Sequence, residues 1–208
     1  TGGRNTFQFF GFTETTGAAI ALQADGKWVV AGTTGRTTDG YTVDTFYGSS
    51  YGNFALARFT PAVGALDTTF GNGGRVVSNF GNLGTNFSQE RGRATAVQTD
   101  GKILVGGAVF SSSENTSSSS IAGLARYNAD GSLDLRFGAG GFFTTQLLSE
   151  IRGVLALPNG KILITGPTYR TPSGTTGANG TPSMGVVQLL SDGSIDTTGF
   201  GNRGLAFV

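Results

Sequence analysis

The three lysines of this 208-residue sequence, Lys27, Lys102 and Lys161, occupy equivalent positions in three similar stretches of chain. Each lysine follows the glycine of a short polar turn. Three equivalent cations could form a ring that binds an anionic group. Alternatively, a flexible cation beside a turn offsets the nearby carboxylates at small energetic gain. We favour this structural interpretation, because repeated units arranged around a ring hold their equivalent turns far apart.

A second recurring set consists of aspartates, each preceded by a potential partner eight or nine positions earlier. The pairs are Arg58 with Asp67, Arg126 with Asp134, and Gln188 with Asp196. Three equivalent carboxylates without a His or Glu at fixed spacing do not make a general acid–base site. A charge-assisted Arg–Asp hydrogen bond that holds the following connection explains the spacing better. A glutamine at the third position could still hydrogen-bond to its aspartate.

Oxygen-bearing side chains alternate around the middle aspartate, as they do in calcium loops. They are Asn128, Asp130, Ser132 and Asp134, followed in the next unit by Asp192, Ser194 and Asp196. The bidentate Glu that completes such a loop is missing. Turns in which an Asp side chain bonds to the backbone two residues on explain the same residues. We therefore predict no metal site, with Asn128, Asp130 and Asp134 as the calcium candidate to compare with the structure.

The sequence contains neither His nor Cys, which removes whole classes of chemistry. Thiol catalysis, the usual zinc sites and any Ser-His or Cys-His arrangement are excluded. A formal net charge of +1 creates no strong field for nucleic acid. No apolar run approaches the roughly 20 residues that span a bilayer. We predict a protein that is not an enzyme, needs no cofactor, binds no nucleic acid and has no membrane span.

The recurring residues belong to an internal repeat of roughly 60 to 75 residues. The stretch "AVQTDGKILVGG" (96–107) is echoed by "ALQADGKWVVAG" (21–32) and "LPNGKILITG" (157–166). A second marker reads "ALDTTFGNGG" (65–74), "SLDLRFGAGG" (132–141) and "SIDTTGFGNRG" (194–204). The repeated structural positions are therefore Asp25, Gly26, Asp100, Gly101 and Gly160 in the turns, and Phe70, Phe137 and Phe200 at the unit ends.

Each unit contains four short apolar runs with the composition of β-strands. In the middle unit they are "RVVSNF" (75–80), "RATAVQ" (93–98), "KILVGG" (102–107) and "IAGLARYN" (121–128). The runs are rich in β-branched and aromatic residues and are bounded by turn formers. The Asp-Gly pair between the second and third runs predicts a type I′ hairpin turn. The third run is apolar on both faces, which is typical of a strand between neighbouring sheets.

Four-stranded antiparallel units in series predict an all-β, β-propeller-like array, with a β-solenoid or open sheet array as the alternative. The combined motif "AVQTDGKILVGG…LARYNADGSLDLRFGAGG" closely resembles the bacterial delta-60 repeat, and the resemblance covers all three units. It implies a β-propeller, a surface or secreted bacterial protein, and no settled enzymatic activity. The units depart from the motif at "PAVG" (61–64), Asn159 and Gln188.

The repeat markers place three blades along the chain, and the phenylalanines at the unit ends should anchor them to each other. The predicted boundaries are 1–70, 71–137 and 138–200, with 201–208 as the opening strand of a fourth blade. Closed propellers have roughly four to eight blades. Exposed blade edges and faces promote aggregation. We therefore predict that the chain is part of a longer propeller or that copies join edge to edge, as in a six-bladed dimer.

The loops between third and fourth runs differ in every unit, at 34–53, 108–120 and 167–183. In an antiparallel meander these loops emerge at the end of the sheets opposite the repeated turns. The turns at one end therefore keep the same sequence pattern in every unit, whereas the loops at the other end vary. Such loops either carry function or merely tolerate insertions. Aromatic residues among Gly, Ser and Thr favour binding. The binding candidates are Tyr41, Phe46, Tyr47, Tyr51, Tyr169 and Arg170.

These observations favour an extracellular, cell-surface or periplasmic structural and interaction module. It would bind a protein partner or self-assemble through its long loops and blade edges. One alternative is a carbohydrate-binding propeller whose exposed aromatic residues stack on sugars. A further alternative is a metal-dependent hydrolase or lactonase, which needs carboxylates converging at the inner strand ends. Glutamate occurs only at non-equivalent positions, namely Glu14, Glu90, Glu114 and Glu150.

Overall fold

The computed structural model of the chain describes residue 9 and residues 14–36, 51–61, 64–83, 87–111, 120–168 and 183–207. These residues form three four-stranded antiparallel sheets and one 3-10 turn, Phe80–Leu83. The prediction of an all-β, propeller-like array of three four-stranded blades is confirmed. Within the described residues, no helix is long and apolar enough to cross a membrane.

In all three sheets, neighbouring strands follow one another along the chain. The first sheet contains β1 (Glu14–Leu22), β2 (Trp28–Arg36), β3 (Tyr51–Phe59) and β4 (Arg75–Ser78). The second contains β5 (Phe87–Val97), β6 (Ile103–Ser111), β7 (Ser120–Tyr127) and β8 (Phe142–Thr145). The third contains β9 (Gly153–Ala156), β10 (Ile162–Thr168), β11 (Ser183–Leu189) and β12 (Leu205–Phe207).

The strand predicted to open each unit instead closes the sheet before it. β4 pairs with β3, with Val76 opposite Leu56, and β12 pairs with β11. This pairing corrects the predicted boundaries after residues 70, 137 and 200, and residues 205–207 complete the third sheet rather than begin a fourth blade. A repeat defines a period but not its starting point. The bridge from Phe59 to Leu66 turns the connection back onto its own sheet.

The hairpin turn between β1 and β2 differs from the predicted type I′ turn. The amide of Gly26 donates to the carbonyl of Gln23 at 3.0 Å. Gly26 has a φ of 82°, and Asp25 is not among the residues with positive φ. A type I′ turn needs positive φ at both central residues. The turn therefore requires glycine at one position, and the aspartate serves a different purpose: its carboxylate accepts from Lys27 N at 3.1 Å.

Two apolar cores lie between successive sheets, and β6 supplies both. Ile103 and Val105 belong to the core between the first and second sheets. Leu104, on the opposite face of β6, belongs to the core shared with the third sheet. All three side chains are fully buried. The prediction that this run is sandwiched between neighbouring sheets is confirmed, since alternate residues of a strand point to opposite faces.

A phenylalanine near the start of the chain covers the outer face of the first sheet. Phe9 is 3% exposed and packs with Ala55, Ala57 and Phe59. The stretch "TGGRNTFQF" (1–9) parallels "GNGGRVVSNF" (71–80), so Phe9 corresponds to Phe80. Phe80 is itself fully buried against Phe54 and lies in the core between the first two sheets. Equivalent aromatic residues thus seal two successive sheet faces.

Candidate functional site

The Arg–Asp pairs inferred from the sequence exist in the first two sheets. Arg58 Nε donates to Asp67 Oδ2 at 2.8 Å, and Arg126 Nε donates to Asp134 Oδ2 at 2.8 Å. All four side chains are at most 8% exposed. A buried, charge-assisted hydrogen bond ties each connection to the third strand of its sheet. The pairing that the sequence predicted for these residues is present in the structure.

The same arginines also reach the next sheet. Arg58 Nη1 donates to the carbonyl of Ala129, and Arg126 Nη1 donates to the carbonyl of Ser191 at 2.5 Å. Each guanidinium stacks over the phenylalanine of its own sheet's connection. The Cζ–centroid distances are 4.5 Å for Arg58 over Phe70 and 4.3 Å for Arg126 over Phe137. One arginine therefore links three elements, and we call this arrangement the blade joint.

A turn of the following sheet is seated in each joint. Gly71 N donates to Asp130 O at 2.8 Å, and Gly138 N donates to Asp192 O at 2.7 Å. The glycine of the seated turn lies on the phenylalanine ring. A Cβ atom at Gly131 would lie 2.9 Å from Phe70 Cε2, and one at Gly193 would lie 2.8 Å from Phe137 Cε2. Phe70 and Phe137, which the sequence predicted to anchor the blades, are both fully buried beside the turn of the next sheet.

The residues of the calcium candidate form the seated turn itself. Asp130 Oδ1 accepts from Ser132 N at 2.9 Å and from Ser132 Oγ at 2.7 Å. These hydrogen bonds hold the pKa of the Asp130 carboxyl below its usual range. Asn128 donates to Ser132 Oγ at 2.9 Å, whereas Asp134 points to Arg126. Within the described part of the chain, no three Asp or Glu side chains come together.

The third joint has the same frame but different polar partners. Asp196 Oδ2 accepts from Lys161 Nζ at 2.7 Å, and that ammonium lies 3.5 Å from Gln188 Oε1. Lys161 thus takes the place that the sequence assigned to Gln188. Phe200 is only half-buried, unlike Phe70 and Phe137.

Among the described residues, no turn is seated in the third joint. Over the residues that the structure describes, the Gly201 amide donates to no backbone carbonyl, although Gly71 and Gly138 both do. In the described part of the chain we call this joint the open joint.

The other two lysines pair with turn carboxylates, as the structural interpretation predicted. Lys27 Nζ lies 3.3 Å from Asp25 and 3.1 Å from Asp67, and Lys102 pairs with Asp100. The Thr69 hydroxyl, followed by Lys27, holds the pKa of Asp67 well below its usual range. Lys27 thus reaches the aspartate of its joint, and each lysine stands beside its own turn rather than in a shared ring.

Within the residues that the structure describes, the turn that ends β3, at the opposite edge of the array, occupies no joint. Thr60 N donates to Ala65 O at 2.8 Å, which makes this turn one residue longer than the turn from Asn128 to Ser132. Pro61 and Ala65 are exposed. In the residues described, an open joint on the third sheet therefore faces outward at one edge, and an exposed turn at the other.

Most of the predicted loop candidates lie outside the described residues. These are Tyr41, Phe46, Tyr47, Tyr169 and Arg170. Tyr51 is the first residue of β3 and pairs with Arg36 of β2, so the first long loop comprises residues 37–50. The strands also extend further into the other two loops than the sequence indicated. The loops still connect β2 to β3, β6 to β7 and β10 to β11, opposite the repeated turns.

Sequence reasoning missed a cluster of arginines on the first strands of the sheets. β5 packs across β1, β2 and β3, and β9 packs across β5 and β6. This brings Arg93 Nε within 3.8 Å of Glu150 Oε2, while Arg152 Nε lies 2.6 Å from Glu150 Oε1. Arg93 and Arg152 each stand eight residues before the turn glycine. That shared offset was the signal available in the sequence.

Comparison with known families gives a match over all three units. A family model described as "Domain of unknown function (DUF5122) beta-propeller" matches residues 23–70, 98–137 and 157–198. The matched segments run from each hairpin turn to the joint that follows. No curated protein matches the chain significantly.

Proposed function

The chain belongs to the DUF5122 β-propeller family, and we propose that it acts as a non-enzymatic structural and interaction module. In this proposal, copies of the chain join through their blade edges, and the long loops contact a protein partner outside the cell or on its surface. The open joint of the third sheet is the observation that carries the proposal. The two occupied joints of the same chain support this proposal, because each holds a turn of the following sheet.

The open joint presents a preformed acceptor surface. Its phenylalanine, Phe200, is half-buried, whereas the seated turns bury Phe70 and Phe137 completely. The amide of Gly201 is the counterpart of two amides that donate to seated turns at 2.7–2.8 Å. An unmade hydrogen bond and an exposed aromatic edge both favour association, because burial of apolar area and pairing of the amide stabilise the contact.

The opposite edge supplies the complementary element. The turn from Thr60 to Ala65 follows β3, as the seated turns follow β7 and β11. Pro61 and Ala65, within that turn, are exposed. A contact between the third sheet of one copy and the first sheet of another would be head-to-tail. Such contacts close into rings when the rotation permits and otherwise form filaments. Two three-sheet chains would give six blades, which is within the usual range for propellers.

The division between the two ends of the sheets supports a recognition role for the loops. The repeated connections already take part in the joints, where Asp67 and Asp134 pair with arginines. The diversified loops connect strands at the other end of the sheets. Loops on a rigid frame can vary without disturbing its packing.

Native mass spectrometry and sedimentation velocity over a range of concentrations test self-association. We expect dimers or larger assemblies that Phe200→Ala weakens and Gln188→Arg strengthens, because an arginine at 188 can reach the carbonyl of a seated turn. Leu135→Ala is the matched control, since Leu135 is 72% exposed and lies outside the joints. A chain that stays monomeric at every concentration, with both variants behaving like wild type, would overturn the proposal.

Partner binding through the loops is tested separately. The first loop, 37–50, is replaced by a short Gly-Ser turn that leaves the pairing of Arg36 with Tyr51 intact. The other two long loops are shortened in turn. We expect melting to be unchanged and partner or surface binding to fall for at least one variant. Undiminished binding by all three would remove the loops from the proposal.

A further inference from the structure

A polar cleft opens between the first strands of the first two sheets. It has a volume of about 440 Å³. Its walls are formed by Thr16, Gly17, Ala18, Thr33, Arg91, Gly92 and Arg93. None of these lining residues is acidic, and none carries a large apolar side chain. The walls approach closely because a glycine stands at the crossing: a Cβ atom at Gly92 would lie 2.3 Å from Gly32 O.

Two guanidinium groups face this cleft with different degrees of freedom. Arg91 Cζ lies 5.1 Å from the centre of the Phe110 ring, which holds the guanidinium plane by a cation–π contact. Among the described residues, Arg91 makes no ion pair or hydrogen bond through its side chain. The Arg93 side chain is 43% exposed, and its distance of 3.8 Å from Glu150 is too long for a hydrogen bond.

The charges around the cleft do not cancel. Glu150 makes its close contact with Arg152, at 2.6 Å. Among the described residues, the Glu150 carboxylate lies near Arg152 and Arg93 only, so Arg91 has no acidic partner and Arg93 keeps most of its hydrogen-bonding capacity. The hydroxyl of Thr33 is buried and accepts from Gly92 N at 3.1 Å, so it stiffens the wall. Thr16, in contrast, is exposed and its hydroxyl is available.

We propose that this cleft binds the carboxylate of an acidic sugar residue. A planar guanidinium pairs with a carboxylate through two parallel hydrogen bonds. The cleft volume falls in the range of small-molecule sites rather than of protein interfaces. Protein partners are held by aromatic or aliphatic anchors in apolar pockets, and this lining has none. Hydroxyl and backbone groups on the walls suit the hydroxyls of a sugar ring.

This site lies away from the open joint, so it is independent of the proposed self-association. The test uses isothermal titration calorimetry of the full chain with trigalacturonate and with its fully methyl-esterified form. We expect the acid to bind and the ester not to bind. Arg91→Gln and Arg93→Gln should each weaken binding about tenfold or more. Arg91→Lys should bind more tightly than Arg91→Gln but more weakly than wild type, because lysine keeps the charge but lacks the planar guanidinium group.

Arg136→Gln is the matched control. It removes the same charge from an exposed position in the repeated connection at the opposite end of the sheets. Melting curves of every variant confirm folding. Absence of binding to wild type, equal binding of acid and ester, or an equal loss in Arg136→Gln would overturn the proposal. Tight binding of a hexaglutamate peptide without binding of trigalacturonate would also overturn it, in favour of an acidic protein partner.

Discussion

Glu90 Oε1 accepts a hydrogen bond from the backbone amide of Phe80 at 2.9 Å, inside the core between the first and second sheets. The Glu90 side chain is fully buried, and its other oxygen, Oε2, has no hydrogen-bond partner among the described residues. An ionised carboxylate is costly in such surroundings. Burial accordingly raises the pKa of Glu90 to about 7, against the single opposing hydrogen bond from Phe80.

This raised pKa predicts that the protein loses stability as the pH rises through 7. The folded state keeps a proton that the unfolded chain releases near its ordinary pKa of 4.5. The stabilising contribution is therefore complete below pH 4.5 and is lost above 7. We expect the free energy of unfolding, measured by urea denaturation, to fall by on the order of 2–3 kcal/mol from pH 4.5 to pH 8. Glu90→Gln should abolish this change. A wild-type stability that is flat or rising over this interval would contradict the assignment.

Removing the joint arginine should destabilise the fold far more than removing an exposed one. Arg126→Gln leaves Asp134 buried without its charged partner. It also removes the hydrogen bond that Arg126 Nη1 donates to Ser191 O. We expect a loss of about 3 kcal/mol in chemical denaturation. Arg136→Gln, at an exposed position, should change stability by less than about 0.5 kcal/mol. Similar losses in both variants would mean that the buried pair does not hold the joint.

Alanine substitutions at two glycines with positive φ should distinguish the cost of backbone strain from the cost of a steric clash between sheets. Gly131 has a φ of 92° and faces Phe70 and Gly71 N, whereas Gly140 has a φ of 62° and nothing within 4 Å of its Cβ position. Gly140→Ala should cost about 1–2 kcal/mol, from the left-handed backbone alone. Gly131→Ala should cost about 1–3 kcal/mol more, because the methyl group enters the joint. Equal melting temperatures would show that the turn is not seated as described.

The phenylalanines of an occupied and an open joint should respond differently to truncation. Phe137→Ala removes a fully buried ring under Gly193 and should cost about 3–5 kcal/mol of folding free energy. Phe200 is half-buried, so Phe200→Ala should cost clearly less in the isolated chain. Thermal melting at low protein concentration measures both. A loss for Phe200→Ala as large as for Phe137→Ala would show that the third joint is already filled.

The repeat, the strands, the position of each hairpin and the partners of two aspartates could all be predicted from the amino-acid sequence. These features depend on local physics. Each of these features comes from contacts within one sheet. The contacts involve alternating apolar residues, turn-forming glycines, and an arginine eight or nine positions before a carboxylate. For this reason the sequence located the pairs Arg58–Asp67 and Arg126–Asp134, and Phe70 and Phe137, its anchor candidates, are buried.

Two features depend on the packing of the sheets against each other: which sheet a strand joins, and which polar groups lie between sheets. The repeat could not assign β4 to the first sheet, because pairing depends on how the connection folds back. Nor could it show that Arg58 reaches Ala129, 71 residues further along the chain. Glu90 and Arg93 are both charged residues of β5 in the sequence. In the structure Glu90 is buried in a core, whereas Arg93 lines a cleft. Burial depends on neighbouring sheets, which no local pattern encodes.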